Sequence, residues 1–423
     1  LYKLNILTLG DYFRLRYNRT VEVLTTLCIV ASYLGWVSAQ IKALGLVFNV
    51  VTSGFVSQTA GMVLGAAIVL TYTTFGGMLS VAILDFVQMG VIMGGMLYIG
   101  YVVSGLTGGV ELVINHASAA GKLDFFPPPD PWLWLTFLGA WITMMLGSIP
   151  QQDVFQRITS AKSQRIALWG SILGASIYFC FTFVPMFIAY SATLIDPELF
   201  NGLMQTDSQL VLPTLVLNHT PVFAQAIFFG AVLSAIMSCS SATLLAPSVA
   251  FSENIVRGFY PHMGDQQFLR VMRASIVVFA GIVLGFALYS NASIFKMVEN
   301  AYKITLAGAF VPLFFGAFWK RATTQGALAA IFGGLSAWIL IEVLVSVSGQ
   351  PSGAPDYAYA LVGIGQAVPP QLIGLAVSIV GMIAGSLLPQ WVGHRLPHED
   401  IHEALHHRAA AETHHATEHP HHH

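Results

Sequence analysis

A run of hydroxyl side chains interrupts an apolar segment at Gly230-Ala-Val-Leu-Ser-Ala-Ile-Met-Ser-Cys-Ser-Ser-Ala-Thr243. Ser234, Ser238 and Ser241 recur at intervals of four and three residues, so a helix would carry them on one face. Because hydroxyl groups in hydrocarbon cost free energy unless they have partners, this face is a candidate ion-binding site. The alternative is that these small residues only let neighbouring membrane helices pack closely.

The composition of the whole chain places it in a membrane. The 423 residues are 55% hydrophobic and only 9% charged, with a mean hydropathy of +0.70, whereas soluble domains are typically about 25% charged. The net charge of −2 predicts no nucleic-acid-binding surface. The cysteines lie in apolar runs without metal-type spacing, which argues against a disulfide framework or a zinc site: Cys28, Cys180 and Cys239.

The hydropathy pattern predicts about ten transmembrane helices, because ten apolar stretches are long enough to cross a bilayer. The fourth ends in Gly147-Ser-Ile-Pro150, a break that membranes tolerate where the backbone lines a cavity. The predicted spans are 22–48, 56–75, 80–104, 133–149, 166–193, 221–247, 268–290, 293–319, 324–348 and 367–389.

The basic residues predict the orientation of these spans. With the lead-in 1–20 in the cytosol, most lysines and arginines fall in cytosolic loops, as the positive-inside rule requires. Lys42, Lys122, Lys296 and Lys303 are the exceptions. We therefore predict a multi-pass protein of the plasma (inner) membrane with both visible ends cytosolic, and outer connectors 105–132 and 194–220 that carry short helices.

Two regions differ in composition. Residues 1–391 form the predicted polytopic domain, and 392–423 a cytosolic, disordered tail that holds all but three of the fourteen histidines. Such a tail could bind transition metals, or it could be a low-complexity segment without metal function whose last three residues are a tag remnant. The chain begins at Leu1, so we expect its natural N-terminus to be missing.

Four motifs in order indicate a family. The chain resembles the sodium/solute symporter family, which includes the proline, pantothenate, sugar, iodide and choline cotransporters. The motifs are Tyr72-Thr-Thr-Phe-Gly-Gly-Met-Leu-Ser80 with Asp85-Phe-Val-Gln88, Phe155-Gln-Arg157 with Ser160-Ala-Lys162, the serine-rich run, and Trp319-Lys-Arg-Ala-Thr323 with Gly326-Ala327.

The resemblance implies an all-α membrane protein with a five-plus-five inverted-repeat transporter core. In this fold two opposite helices are broken at the midplane, where ion and substrate meet. By this resemblance the chain starts after the second core helix. Its ten helices would be core helices three to ten plus two peripheral C-terminal helices.

The resemblance also implies a sodium site. Its ligands would be the backbone carbonyl of Ala235 and the side chains of Ser238 and Cys239. Cys239 departs from the family, because sodium prefers oxygen to sulfur, so Ser241 or Thr243 could replace it or another ion could be used. Asp85 matches a family carboxylate on the ion exit route; the alternative is an acidic residue stabilised by a helix N-terminus.

The substrate site is expected near the break. Sugar-transporting relatives carry a stacking aromatic at Gly147, which argues against a sugar, and Ser148 lies in the same break. Trp36 matches an aromatic residue of the choline-transporting branch and could hold a quaternary ammonium by cation–π attraction, or it could be ordinary packing. That branch has a second tryptophan where this chain has Gln151, so the aromatic cage is incomplete.

Lys303 is the most unusual residue of the predicted spans. It lies ten residues into its helix, about 15 Å deep at 1.5 Å per residue, beside Tyr302, where amino-acid-transporting relatives carry an aromatic. We predict that Lys303 faces the central cavity and helps to recognise a substrate carboxylate, directly or through its coupling to Glu299, which would disfavour a choline-like cation. The alternative is a structural ion pair with Glu299, one turn away.

These features together predict a transporter. We expect a secondary active symporter that uses sodium as its coupling ion, without an organic cofactor, to take up an amino acid, a carboxylate or a related zwitterion across a lipid bilayer. No nucleophile–base pair or phosphate-binding loop of an enzyme occurs in the spans. The alternatives are a choline-type transporter and a transporter-like membrane sensor.

Overall fold

Every regular element in the described part of the chain is helical. The computed structural model describes residues 1–75, 78–347 and 363–392, with the backbone alone for 78–81. The helices are α1 (Leu9–Arg16), α2 (Arg19–Val51), α3 (Gln58–Phe75), α4 (Met78–Thr107), α5 (Val110–Ala119), α6 (Pro131–Gly147), α7 (Gln152–Thr159), α8 (Gln164–Ile195), α9 (Pro197–Thr206), α10 (Val211–His219), α11 (Val222–Phe251), α12 (Arg257–Phe259), α13 (Asp265–Tyr289), α14 (Ile294–Gly308), α15 (Phe310–Phe318), α16 (Thr324–Val347) and α17 (Pro370–Leu387).

Eight helices in these ranges are long and apolar enough to cross a membrane, and there are up to ten spans if each of two bent pairs counts as one. The prediction of an all-α membrane protein with about ten spans is therefore confirmed. The prediction of a disordered C-terminal tail over 392–423 cannot be compared, because 393–423 lies outside the described residues. The inverted repeat itself stays a prediction.

The helix α2 lies at the centre of the bundle, where it packs against α3, α11, α13 and α14. Its side chains Val37, Ile41 and Leu44 are 1% exposed and join Phe228 of α11 and Val283 of α13 in one apolar core. Burial of such side chains from water or lipid contact fixes the relative positions of these helices. The helix α11 is thereby held beside α2.

Two spans are broken. The helices α6 and α7 meet at 48°, at the break predicted for 147–150. The helices α14 and α15 meet at 46°, which corrects the prediction of one uninterrupted helix over 293–319. The physical reason is Pro312, whose nitrogen has no hydrogen to donate to the carbonyl of Gly308, so the helical ladder is interrupted there.

The lead-in 1–20 is a packed element and not merely a polar connector. Thr8 and Asp11 form a capping box at the start of α1. Tyr12 and Phe13 are buried, and burial raises the pKa of Tyr12 to about 12. Thr8 Oγ1 also donates to Asn254 Oδ1 at 2.7 Å, which ties α1 to the π-helical turn that continues α11.

Candidate functional site

The face of α11 meets a carboxylate of α4. Ser238 Oγ donates a hydrogen bond to Asp85 Oδ1, and Arg157 of α7 lies 2.8 Å from Asp85 Oδ2. Three helices therefore meet at one charged group. The two residues assigned from the sequence to the ion site and the ion route, Ser238 and Asp85, belong to one cluster.

The position of Asp85 in α4 bears on its two interpretations, a carboxylate on the ion route and an acidic residue stabilised by a helix N-terminus. The helix α4 begins at Met78, so Asp85 lies about two turns inside it. The helix dipole acts mainly within the first turn. Stabilisation by a helix N-terminus therefore does not explain this carboxylate, which contacts Ser238 and Arg157 instead, and its place on an ion route stays a prediction.

Other hydroxyl groups of α11 donate within the helix. Ser241 Oγ donates to the Ser238 carbonyl at 3.3 Å, and Thr243 Oγ1 donates to the Cys239 carbonyl at 2.8 Å. A hydroxyl that donates in this way keeps lone pairs for a cation. Carboxylate and hydroxyl oxygens are the atoms that a hard cation such as sodium prefers, and the structure brings Asp85 and Ser238 together with Ser241 one turn further along α11.

Ala235 and Cys239 lie on the same side of α11, four residues apart, and both are half-buried. Tyr72 of α3 donates its hydroxyl hydrogen to the carbonyl of Met237, between these two positions. The predicted ligand roles of the Ala235 carbonyl and the Cys239 thiol remain predictions. The thiol is the poorest sodium ligand of the set, because sulfur is soft.

An aromatic pair lies beside the break between α6 and α7. The rings of Trp36 on α2 and Tyr302 on α14 have their centroids 5.8 Å apart and their planes at 56°. Gly147 lies directly below Tyr302: a Cβ atom at Gly147 would come within 2.6 Å of the Tyr302 carbonyl oxygen. The absence of a side chain at this position is therefore what lets α6 approach α14.

A hydrogen-bond network closes the break. Thr305 Oγ1 of α14 donates to the Gly147 carbonyl at 2.6 Å. Gln151 Nε2 reaches the Gly147 carbonyl at 3.4 Å, Thr305 Oγ1 at 3.5 Å and Ser32 Oγ of α2 at 3.3 Å. The network satisfies a carbonyl that the end of α6 leaves without a helical partner.

The short helix α7 connects the two clusters. Gln151, its N-cap residue, belongs to the network at the break, and Arg157 in its last turn holds Asp85. Between them, Asp153 accepts a hydrogen bond from Tyr33 of α2, and its backbone N–H donates to the same phenol oxygen at 2.8 Å. A displacement of α7 would therefore disturb both clusters.

Lys303 forms an ion pair with Glu342 and not with Glu299. Its Nζ lies 3.5 Å from Glu342 Oε1 of α16, whereas Glu299 Oε2 lies 3.2 Å from Lys296 Nζ. The alternative interpretation, a structural pair of Lys303 with Glu299, is therefore wrong, and the predicted role of Lys303 in substrate recognition stays a prediction. The reason for the pair with Glu342 is that the face of α14 that carries Lys303 packs toward α16. On α16, Trp338 Nε1 donates a hydrogen bond to Glu342 Oε2 at 3.1 Å and so holds Glu342 in place.

The structure thus unites some predicted substrate residues and separates others. Trp36, Gly147, Gln151 and Tyr302 lie around the break. Ser148 Oγ donates to the Met145 carbonyl at 3.0 Å, within its own turn. Sequence reasoning missed Ser32, Thr305, Tyr33 and Asp153. Asp153, an acidic residue next to a break, was the one with a recognisable signal.

Comparison with known proteins supports the transporter interpretation of this geometry. The profile of the sodium:solute symporter family matches residues 1–334. The chain belongs to the sodium:solute symporter family. This confirms the predicted family of transporters and sodium as its coupling ion.

Individual members of the family are moderately similar to this chain. The sodium/proline symporter of Haemophilus influenzae is 27% identical over 78% of this chain and 67% of its own length. The human high affinity choline transporter 1 is 26% identical over 78% of this chain and 57% of its own. The osmoregulated proline transporter OpuE of Bacillus subtilis is 26% identical over 81% and 69%. The chain thus spans between 57% and 69% of the lengths of these symporter-family relatives.

A solved structure shares the fold. The substrate-bound, outward-open structure of a Na+-coupled sialic acid symporter superposes with a TM-score of 0.68 over 93% of this chain and 79% of that chain, at 19% identity. Among the described residues, no group of three or more His, Cys, Asp or Glu could hold a transition metal. The predicted metal binding by the histidine-rich tail of this family member concerns residues outside the described ranges.

Proposed function

We propose that this protein couples a sodium gradient to the uptake of a small organic solute, an amino acid, a carboxylate or a related zwitterion. Sodium binds at the face of α11, with Ser238, the Ala235 carbonyl and Cys239 as ligands and Asp85 and Ser241 on its route. The solute binds beside the break, against Trp36, Tyr302 and Gln151, with Gly147 and Ser148 in the adjoining backbone.

The observation that carries this proposal is the position of α7. Its two ends contact the two clusters through Gln151 and Arg157. Coupled transport requires that each ligand change the affinity of the protein for the other, and a rigid element that both ligands bias is a physical means of doing so. Neutralisation of Asp85 by a bound cation would weaken its pairing with Arg157 and free α7 to move.

Uptake by the full-length protein in lipid vesicles tests the proposal. An inward sodium gradient is expected to accelerate uptake of at least one radiolabelled amino acid or carboxylate relative to equal potassium. Sodium-independent uptake, or stimulation by a proton gradient alone, would contradict sodium coupling.

A choline-type transporter is the second candidate, and the Trp36–Tyr302 pair favours it. Two tilted aromatic rings can hold a quaternary ammonium group by cation–π attraction. The salt bridge of Lys303 with Glu342 also reduces the repulsion that was expected to exclude a cation. Comparison of choline uptake with proline uptake in the same vesicles distinguishes the two candidates.

A further inference from the structure

Gln151 presents an unusual amide at the break. Its side chain is buried, with 2% of the residue exposed. Thr305 has already donated its hydroxyl hydrogen to the Gly147 carbonyl, so the Thr305 oxygen can only accept from Gln151, as the Gly147 carbonyl must. Two acceptors therefore fix which end of the amide is the nitrogen, and a flipped amide would place Oε1 against the Gly147 oxygen.

The other end of the amide lacks a partner. Gln151 Oε1 is buried and has no hydrogen-bond donor among the residues that the structure describes. A buried acceptor of this kind costs free energy until a donor reaches it. The neighbouring Gln152 provides the contrast, because its Oε1 accepts from the Leu9 backbone N–H at 2.9 Å.

The surroundings of Gln151 favour a cationic donor. The aromatic pair of Trp36 and Tyr302 lies at the same break and attracts positive charge through its ring faces. The cation of Lys303 is paired with Glu342 of α16. A carbonyl dipole and two aromatic rings at the same break are suited to an ammonium group that carries N–H bonds.

We propose that Gln151 Oε1 accepts a hydrogen bond from a protonated primary or secondary amine of the solute and thereby selects against quaternary ammonium compounds. This inference rests on the proposed sodium-coupled uptake and specifies its substrate class. A site built to pair with an N–H group rejects an analogue without it, because the amide oxygen then stays unpaired.

Matched solutes test this selection without any substitution. Three pairs differ only in N-methylation: proline and proline betaine, glycine and glycine betaine, and ethanolamine and choline. In full-length protein in vesicles, the N–H member of each transported pair is expected to show at least about tenfold higher sodium-driven kcat/KM. A preferred quaternary member, or uptake restricted to nitrogen-free carboxylates, overturns the inference but leaves sodium coupling intact. A lack of sodium-driven uptake both for all of these solutes and for a nitrogen-free carboxylate such as lactate overturns the proposed function itself.

Two substitutions assign the selection to Gln151. Gln151→Met removes the amide and is expected to reduce the N–H preference to about threefold or less, whereas Gln151→Glu keeps acceptor oxygens and is expected to retain the preference. The matched control Gln152→Met removes an oxygen that already has a partner, so the preference should persist. The Gln151 variants could instead change the sodium concentration for half-maximal uptake, and by the same factor with both members of a pair. That result would make Gln151 an ion ligand and overturn the inference.

Discussion

The proposed ion site depends on single atoms of α11 and α4. Ser238 donates to Asp85, so its oxygen faces the carboxylate with its lone pairs free for a cation. Cys239 follows directly but offers sulfur. These two neighbours therefore differ in what they can contribute to a sodium site, although both were assigned to it from the resemblance.

Substitution of Ser238 tests the ion site at the level of one oxygen. Ser238→Ala is expected to raise the sodium concentration for half-maximal uptake roughly tenfold, because one oxygen ligand is lost. Cys239→Ser replaces sulfur by oxygen and is expected to leave this concentration unchanged or to lower it. Titration of uptake against sodium at constant ionic strength measures both effects. Unaltered sodium dependence in both variants would show that the ion binds elsewhere.

The helices α14 and α16 are joined by an ion pair within the membrane-spanning region. Lys303 has 8% of its side chain exposed and Glu342 has 38%. Removal of one member of a buried pair leaves an uncompensated charge, whereas removal of both does not. The pair therefore fixes α16 against α14.

Variants of this pair separate a structural role from substrate recognition. Glu342→Gln is expected to destabilise the protein by about 2 kcal/mol, less than a fully buried pair because Glu342 is partly exposed. The double variant with Lys303→Met should recover most of this loss. Thermal unfolding in detergent measures the change. Lys296→Met with Glu299→Gln is the control, because the Lys296 side chain is 59% exposed and an ion pair with a solvated cation contributes at most about 1 kcal/mol.

The opposite result for the Lys303–Glu342 pair would be a direct role of Lys303 in substrate binding. If Lys303 recognises a substrate carboxylate, Lys303→Met will abolish uptake of carboxylate-bearing solutes while the unfolding temperature stays unchanged. Recovery of uptake in the double variant would contradict that role.

The orientation that we predict from the charges of the whole molecule is testable by labelling. Single cysteines placed at 157–165 are expected to react with a membrane-impermeant maleimide only after the membrane is permeabilised, and cysteines at 105–132 are expected to react in intact cells. The variants are best made in a background without Cys28, Cys180 and Cys239. Extracellular labelling of the histidine-rich tail would overturn this topology and the placement of Asp85 toward the cytosol.

The sequence by itself determined the membrane class, most of the spans, the break at 147–150 and the family, because hydropathy, glycine and proline act through local chain segments. It did not determine the second break at Ala309, because a proline such as Pro312 is also tolerated within unbroken membrane helices. Only the tertiary structure decided the partners: Ser238 and Asp85 are 153 positions apart, and Lys303 and Glu342 are 39 apart. Which side chains meet depends on how whole helix faces pack, and helical spacing alone pairs Lys303 with the wrong carboxylate.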